Sequence, residues 1–173
     1  MKSVINMENR LPRRKHPRLA YYDYSTAGAY FVTICTQNRR CLLSRIIGHE
    51  LSSVEIQYTV YGKIAQEQLL LLEHRFPALK IDRYVIMPNH IHVILLLETA
   101  GASPRPTIPD IVCVFKSLTT RLCKKIQPID KLFQTSFYEH VIRGREDYEE
   151  IVEYIVNNPK QWELDKLYSE ESS

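Results

Sequence analysis

No apolar stretch in these 173 residues approaches the length of a membrane span: the longest, Val93 to Leu97, falls far short of the roughly 20 residues a spanning helix needs. The N-terminal segment MKSVINMENRLPRRK has no apolar core of the kind a secretory signal carries. Cysteine is scarce. Cys35, Cys41, Cys113 and Cys123 show neither the CxxC spacing of a zinc ribbon nor the density of a small secreted scaffold. These absences predict free thiols in a reducing compartment, and so a soluble cytoplasmic protein with no membrane partner. No repeat of useful period is visible, which argues against a solenoid or propeller. The net charge is only +3, so neither sign dominates.

The charge is unevenly spread. Arg10, Arg13, Arg14, Lys15 and Arg18 crowd one end, while Glu163, Asp165, Glu170 and Glu171 lie near the other. The basic end suits a polyanionic partner, and equally a solvated arm. With 45% hydrophobic and 25% charged residues the composition is that of a globular protein, and the length fits one domain better than two.

The apolar pattern divides the chain into alternating elements. Ala29 to Thr36 (AYFVTICT) is aromatic and β-branched and predicts a strand. Cys41 to Ile47 and Glu50 to Val54 flank Gly48 and His49 as a hairpin. Val54 to His74 predicts an amphipathic helix, stopped by Pro77. Ile81 to Met87 and Ile91 to Leu97, separated by Pro88 and Asn89, predict paired central strands. Thr99 to Pro109 reads as a loop, Asp110 to Ile126 as a second helix, Phe137 to Arg143 as a short strand, and Arg145 to Asn158 as a third helix closed by Pro159. Strands joined this tightly do not permit βαβ crossovers throughout, so the predicted class is an antiparallel α+β fold.

Chemistry concentrates in two segments. In MPNHIHV, Met87 to Val93, strand alternation places His90 and His92 on one face, where two imidazoles can grip one metal ion. With six histidines in the chain an HxH is unspecific alone, and half-buried strand histidines satisfied by carbonyls would look the same. The second segment is EYIVNNP, from Glu153. Positions i and i+4 share a helix face, so Tyr154 and Asn158 point the same way. Of the eleven tyrosines only Tyr154 has a carboxylate or carboxamide four residues on. The bland alternative is a packing tyrosine beside a helix-ending asparagine.

Together these segments carry a resemblance. From roughly Arg10 to Trp162 the chain resembles the REP-associated tyrosine transposases and related single-tyrosine insertion-sequence transposases of the HUH superfamily. The matching runs are PRLAYYDYSTAGAYFVTICTQNR from Pro17, YVIMPNHIHVIL from Tyr84, FKS from Phe115, SFYEHVIR from Ser136 and YIVNNPKQW from Tyr154. The resemblance implies a ferredoxin-like antiparallel sheet with helices packed on it. It matches His90 and His92 to the family's metal pair, Tyr154 to its nucleophile, and Asn158 to the polar ligand one turn later, where some relatives have glutamine. It divides the chain into a basic arm (1–16), a catalytic domain (17–162) and a short acidic tail (163–173).

The activity so implied is a metal-dependent single-strand DNA endonuclease and strand transferase acting on hairpin DNA through a 5′-phosphotyrosine. Mixed nitrogen and oxygen ligands favour Mg²⁺ or Mn²⁺ over zinc. Arg14, Lys15, Arg18, Tyr22, Lys116 and Arg121 are the candidate DNA-binding residues, through phosphate contacts and base stacking. Tyr22 packed under the first strand, and Lys116 and Arg121 on a solvated helix face, are the plainer alternatives. A monomer and a homodimer are both compatible. The rival reading is a silent or domesticated single-strand nucleic-acid-binding protein of the same fold.

Overall fold

A computed structural model of the protein describes residues 28–48, 54–98 and 106–169. Arg14, Lys15, Arg18 and Tyr22, with the rest of the basic arm, lie outside the described residues.

Among the described residues, six strands and four α-helices follow in the order β1 (Gly28–Cys35), β2 (Ser44–Ile47), β3 (Glu55–Tyr58), α1 (Val60–Leu70), α2 (Leu72–Arg75), β4 (Leu79–Ile86), β5 (His90–Leu97), α3 (Ile108–Lys124), β6 (Tyr138–Ile142) and α4 (Gly144–Asn157). A four-stranded sheet runs β4-β5-β1-β6 with every neighbouring pair antiparallel, while β2 and β3 form a separate hairpin. With the hairpin set aside, β1-α1-β4-β5-α3-β6 is the split βαββαβ arrangement, so the α+β, ferredoxin-like class read from the sequence is the class observed.

Alternation sorts the central strands into two faces. Tyr30, Val32 and Ile34 of β1 and Ile91, Val93 and Leu95 of β5 point one way and pack with Leu69 of α1 and Ile111 and Phe115 of α3. The opposite face presents Phe31 and Ile94, covered by Ile151 and Ile155 of α4 and by Trp162 beyond it. His90 and His92 belong to this second face. Tyr148 of α4 donates to Asp82 Oδ2, at the point where β4 slips register against β5, and ties the helix to the sheet edge.

Several boundaries differ from the sequence reading. Residues 55–58 are a strand, not the start of α1: Ile56 and Tyr58 alternate with Glu55 and Gln57, and the Thr59 side chain accepts from the Gly62 N–H to begin the helix one residue later. The hairpin accordingly uses Ser44–Ile47 and Glu55–Tyr58 rather than Cys41 to Ile47 and Glu50 to Val54. Gly62 is required there, because a Cβ would sit 1.9 Å from the Leu43 carbonyl oxygen. Helix α3 begins two residues early, at Ile108, since Thr107 and Asp110 form a reciprocal capping box with Pro109 in the first turn. Helix α4 does close at Asn157, as expected just ahead of Pro159, but the chain stays helical beyond the proline. Its missing N–H costs nothing at the start of a new 3₁₀ segment, Asn158–Leu164, which turns the chain back toward the sheet.

Candidate metal and nucleophile site

The site forms where the start of β5 meets the end of α4. His90 and His92 are both buried, and their ring centroids lie 4.4 Å apart. Each Nδ1 is held: His90 Nδ1 lies 2.8 Å from Asn89 Oδ1, and His92 Nδ1 lies 2.8 Å from Thr33 Oγ1 on the neighbouring strand. Because the Asn89 carbonyl only accepts, His90 carries its proton on Nδ1 and leaves Nε2 as a bare lone pair. Both Nε2 atoms are buried without a hydrogen-bond partner. Buried polar atoms are rarely left so, and an imidazole anchored through one nitrogen with the other open is the usual arrangement of a metal ligand.

Asn158 supplies the third such atom. It is buried at the end of α4, its Nδ2 donates to Asp165, and its Oδ1 has no partner. Tyr154, one turn earlier, sits with its ring 5.1 Å from that of His92 and 6.2 Å from that of Phe31, and its hydroxyl makes a long contact of 3.5 Å to Asp165 Oδ2. Four residues read from the sequence, His90, His92, Tyr154 and Asn158, are therefore brought together.

Asp165 and Asn89 went unread. Asp165 follows the 3₁₀ turn, where the sequence suggested only an acidic tail, yet ligand atoms of His90, His92 and Asp165 lie within 4.8 Å of one another. Nothing in its spacing signals this, because the approach depends on the chain reversing after Pro159. Asn89 did carry a signal, in its place beside His90. Its amide nitrogen donates to the carbonyls of Arg39 (3.2 Å) and Leu167 (2.7 Å) while its oxygen holds His90, so one buried side chain links the histidine to the returning segment.

The protonation states follow from burial. His90 is lowered from 6.5 to about 4, chiefly by desolvation, against opposing contributions from Asp165 and Asn158. His92 is lowered by desolvation and then by His90. Both are neutral at physiological pH and offer lone pairs. Burial, and next the Asp165 carboxylate, push the Tyr154 phenol well above its usual 10, with Asn158 partly offsetting them. The tyrosine is thus held as the phenol.

Lys116 and Arg121 are not at this site. They lie on α3 and line a separate groove that also includes Lys124 and Lys131. The Lys116 ammonium donates to the carbonyls of Gln134, Thr135 and Ser136 and sits over the Phe137 ring, so it tethers the segment before β6 and a phosphate would have to compete for it.

With this geometry in view, the relatives are informative. An uncharacterized protein of Haemophilus influenzae is 36% identical over 172 residues, covering 90% of this chain and 93% of its own. The REP-associated tyrosine transposase of Escherichia coli is 25% identical over 142 residues, or 79% of this chain and 68% of that one. A solved REP-associated tyrosine transposase, bound to a REP hairpin, superposes with a TM-score of 0.60 at 24% identity over 86% of this chain and 77% of its own, and so shares the fold. The chain is thus similar in sequence to a REP-associated tyrosine transposase and shares the fold of another. No protein-family model matches it. No described helix is long and apolar enough to cross a membrane, and the four cysteines are free.

Proposed function

We propose that this transposase relative is a metal-dependent single-strand DNA endonuclease and strand transferase in which Tyr154 is the nucleophile. One observation carries the reading: three buried, partnerless ligand atoms, His90 Nε2, His92 Nε2 and Asn158 Oδ1, gather beside a tyrosine hydroxyl. The donor set fits a divalent cation, Mg²⁺ or Mn²⁺, with His90, His92 and Asn158 as ligands and the Asp165 carboxylate adding the negative charge that neutral imidazoles lack. When bound, such an ion polarises a phosphate and steadies charge on its oxygens.

The chain's own residues do the rest. Anchored by Asn89 and Thr33, the two imidazoles hold fixed directions and need no reorganisation when the phosphodiester arrives. Phe31 and His92 fix the Tyr154 ring. Asp165 Oδ2, 3.5 Å from its hydroxyl, receives the phenol proton as Oη attacks phosphorus. The new bond is a 5′-phosphotyrosine, and the broken one frees a 3′-hydroxyl. Bond energy is conserved, so a second 3′-hydroxyl can reverse the step and join strands.

Single-stranded hairpin DNA is the proposed partner, since a duplex would have to unpair to pass one backbone into a site this enclosed. Arg14, Lys15, Arg18 and Tyr22, with Arg121 on α3, are assigned phosphate contacts and base stacking. Residues 17–162 form the catalytic unit together with the returning segment through Ser169, and cytoplasmic residence accords with the free thiols. The test is Tyr154→Phe, incubated with labelled hairpin DNA and Mn²⁺. The wild type forms a denaturation-resistant protein–DNA adduct; the variant folds, binds DNA and forms none. Tyr148→Phe keeps the adduct. An adduct from Tyr154→Phe, or hydrolytic cutting by the wild type with no adduct, overturns the assignment.

A further inference from the structure

Beside Tyr154 and His92 a cavity of about 200 Å³ runs along α4 over the β6 edge of the sheet. Phe31, Tyr138 and Tyr154 give it aromatic walls. Its polar lining is mixed: His92, Asn158, Asp165 and Lys166 belong to it, as do two carboxylates of α4. Asp147 and Glu150 stand two turns and one turn before Tyr154 on α4, at spacings that share its helix face. The two carboxylates are not equivalent. Asp147 is taken by His140 Nε2 at 2.8 Å and by the Arg143 N–H at 2.9 Å. Glu150 is half-buried at the cavity and, among the described residues, makes no hydrogen bond or ion pair.

A nucleotide has a charged part and an uncharged part. The Asp147 and Glu150 carboxylates disfavour a phosphate at their end of the cavity, whereas its aromatic walls suit a planar heterocycle and the open carboxylate of Glu150 suits an N–H donor. The phosphodiester is then left to the histidine end. On the reading of the site given above, we propose that this cavity is a nucleobase pocket for the nucleotide adjoining the scissile phosphate, that it selects bases bearing an exocyclic amino group, and that Glu150 is the specificity residue. Guanine, adenine and cytosine each present an amino group to Glu150. Thymine presents one N–H flanked by two carbonyl oxygens that would face the carboxylate. A site built to receive a donor discriminates strongly against a ligand lacking it. The SFYEHVIR run acquires a role here, since its Tyr138 lines the wall and its His140 holds Asp147 away from Glu150's task.

The experiment uses a pool of hairpin oligonucleotides with randomised single-stranded flanks. In one arm, wild type and Glu150→Gln form covalent adducts in Mn²⁺ and the junctions are sequenced. In the other, Tyr154→Phe, with and without Glu150→Gln, selects the same pool by binding alone. Thymine is depleted roughly tenfold at one position next to the junction, and at the same position among bound sequences, and Glu150→Gln abolishes the depletion in both arms. Equal representation of the four bases at both flanking positions overturns the pocket, as does a profile unchanged by Glu150→Gln. A wild type that forms no adduct while its Tyr154→Phe variant still selects through Glu150 leaves the pocket standing and removes the covalent mechanism.

Discussion

The two faces of the central sheet come from the same strands by the same alternation, and they differ completely in chemistry. The face under α1 and α3 is aliphatic and aromatic, with Tyr30, Ile91, Leu95 and Phe115 fully buried or nearly so. The face under α4 also excludes water, yet it buries His90, His92, Thr33 and Asn158 among Phe31, Ile94 and Trp162, and three of their polar atoms have no partner. Leaving a polar atom dry and unpaired costs about 1–3 kcal/mol. The first face stabilises the protein, and the second spends part of that stability to keep ligand atoms poised.

That contrast can be broken most completely by removing the imidazoles. The double variant His90→Ala/His92→Ala should lose metal-dependent cleavage by a factor of about a thousand or more, and should lose any rise in Tm on adding Mn²⁺, while DNA binding measured by filter retention persists on phosphate contacts elsewhere. A Mn²⁺-induced Tm rise retained in the double variant would place the metal somewhere else. On the other face Phe115→Ala should cost about 3–5 kcal/mol in urea denaturation and leave the specific activity of the folded fraction intact.

Acid sharpens the comparison. Because His90 is lowered from 6.5 to about 4 and His92 is lowered too, the unfolded chain binds more protons than the native one between these values. Stability of the metal-free protein should therefore rise with pH across this window and fall as pH drops from about 6.5 toward 4, read as Tm against pH. In His90→Ala/His92→Ala the slope should flatten. The smallest effect is expected from His92→Phe/Thr33→Val in metal-free buffer. It removes an unpaired buried nitrogen and both partners of the Thr33 contact together, so its cost should stay within about 1 kcal/mol although the metal response disappears. A loss as large as that of Phe115→Ala would mean that this face is held together like the other one.

Local pattern was enough for the elements that repeat. β-Branched and aromatic alternation marked β1, β4 and β5, and helical spacing marked α3 and α4, because burial of one face imposes those periods directly on neighbouring residues. The strand boundary at Glu55 was missed because four alternating residues ahead of a helix are too few to separate the two periods, and the capping by Thr59 that decides it is a side-chain contact. The same division runs through the site. HxH on a strand and Tyr154 with Asn158 on a helix are spacings within one element, so their shared faces could be read in advance. Asp165, the Asn89 link to Leu167, the commitment of Lys116 to carbonyls and the open carboxylate of Glu150 depend on segments far apart in the chain meeting in space. Sequence alone determined which residues could act together on each element. Only the reversal after Pro159 and the docking of α4 across β5 and β1 decided which of them meet, because no local period records a contact between elements.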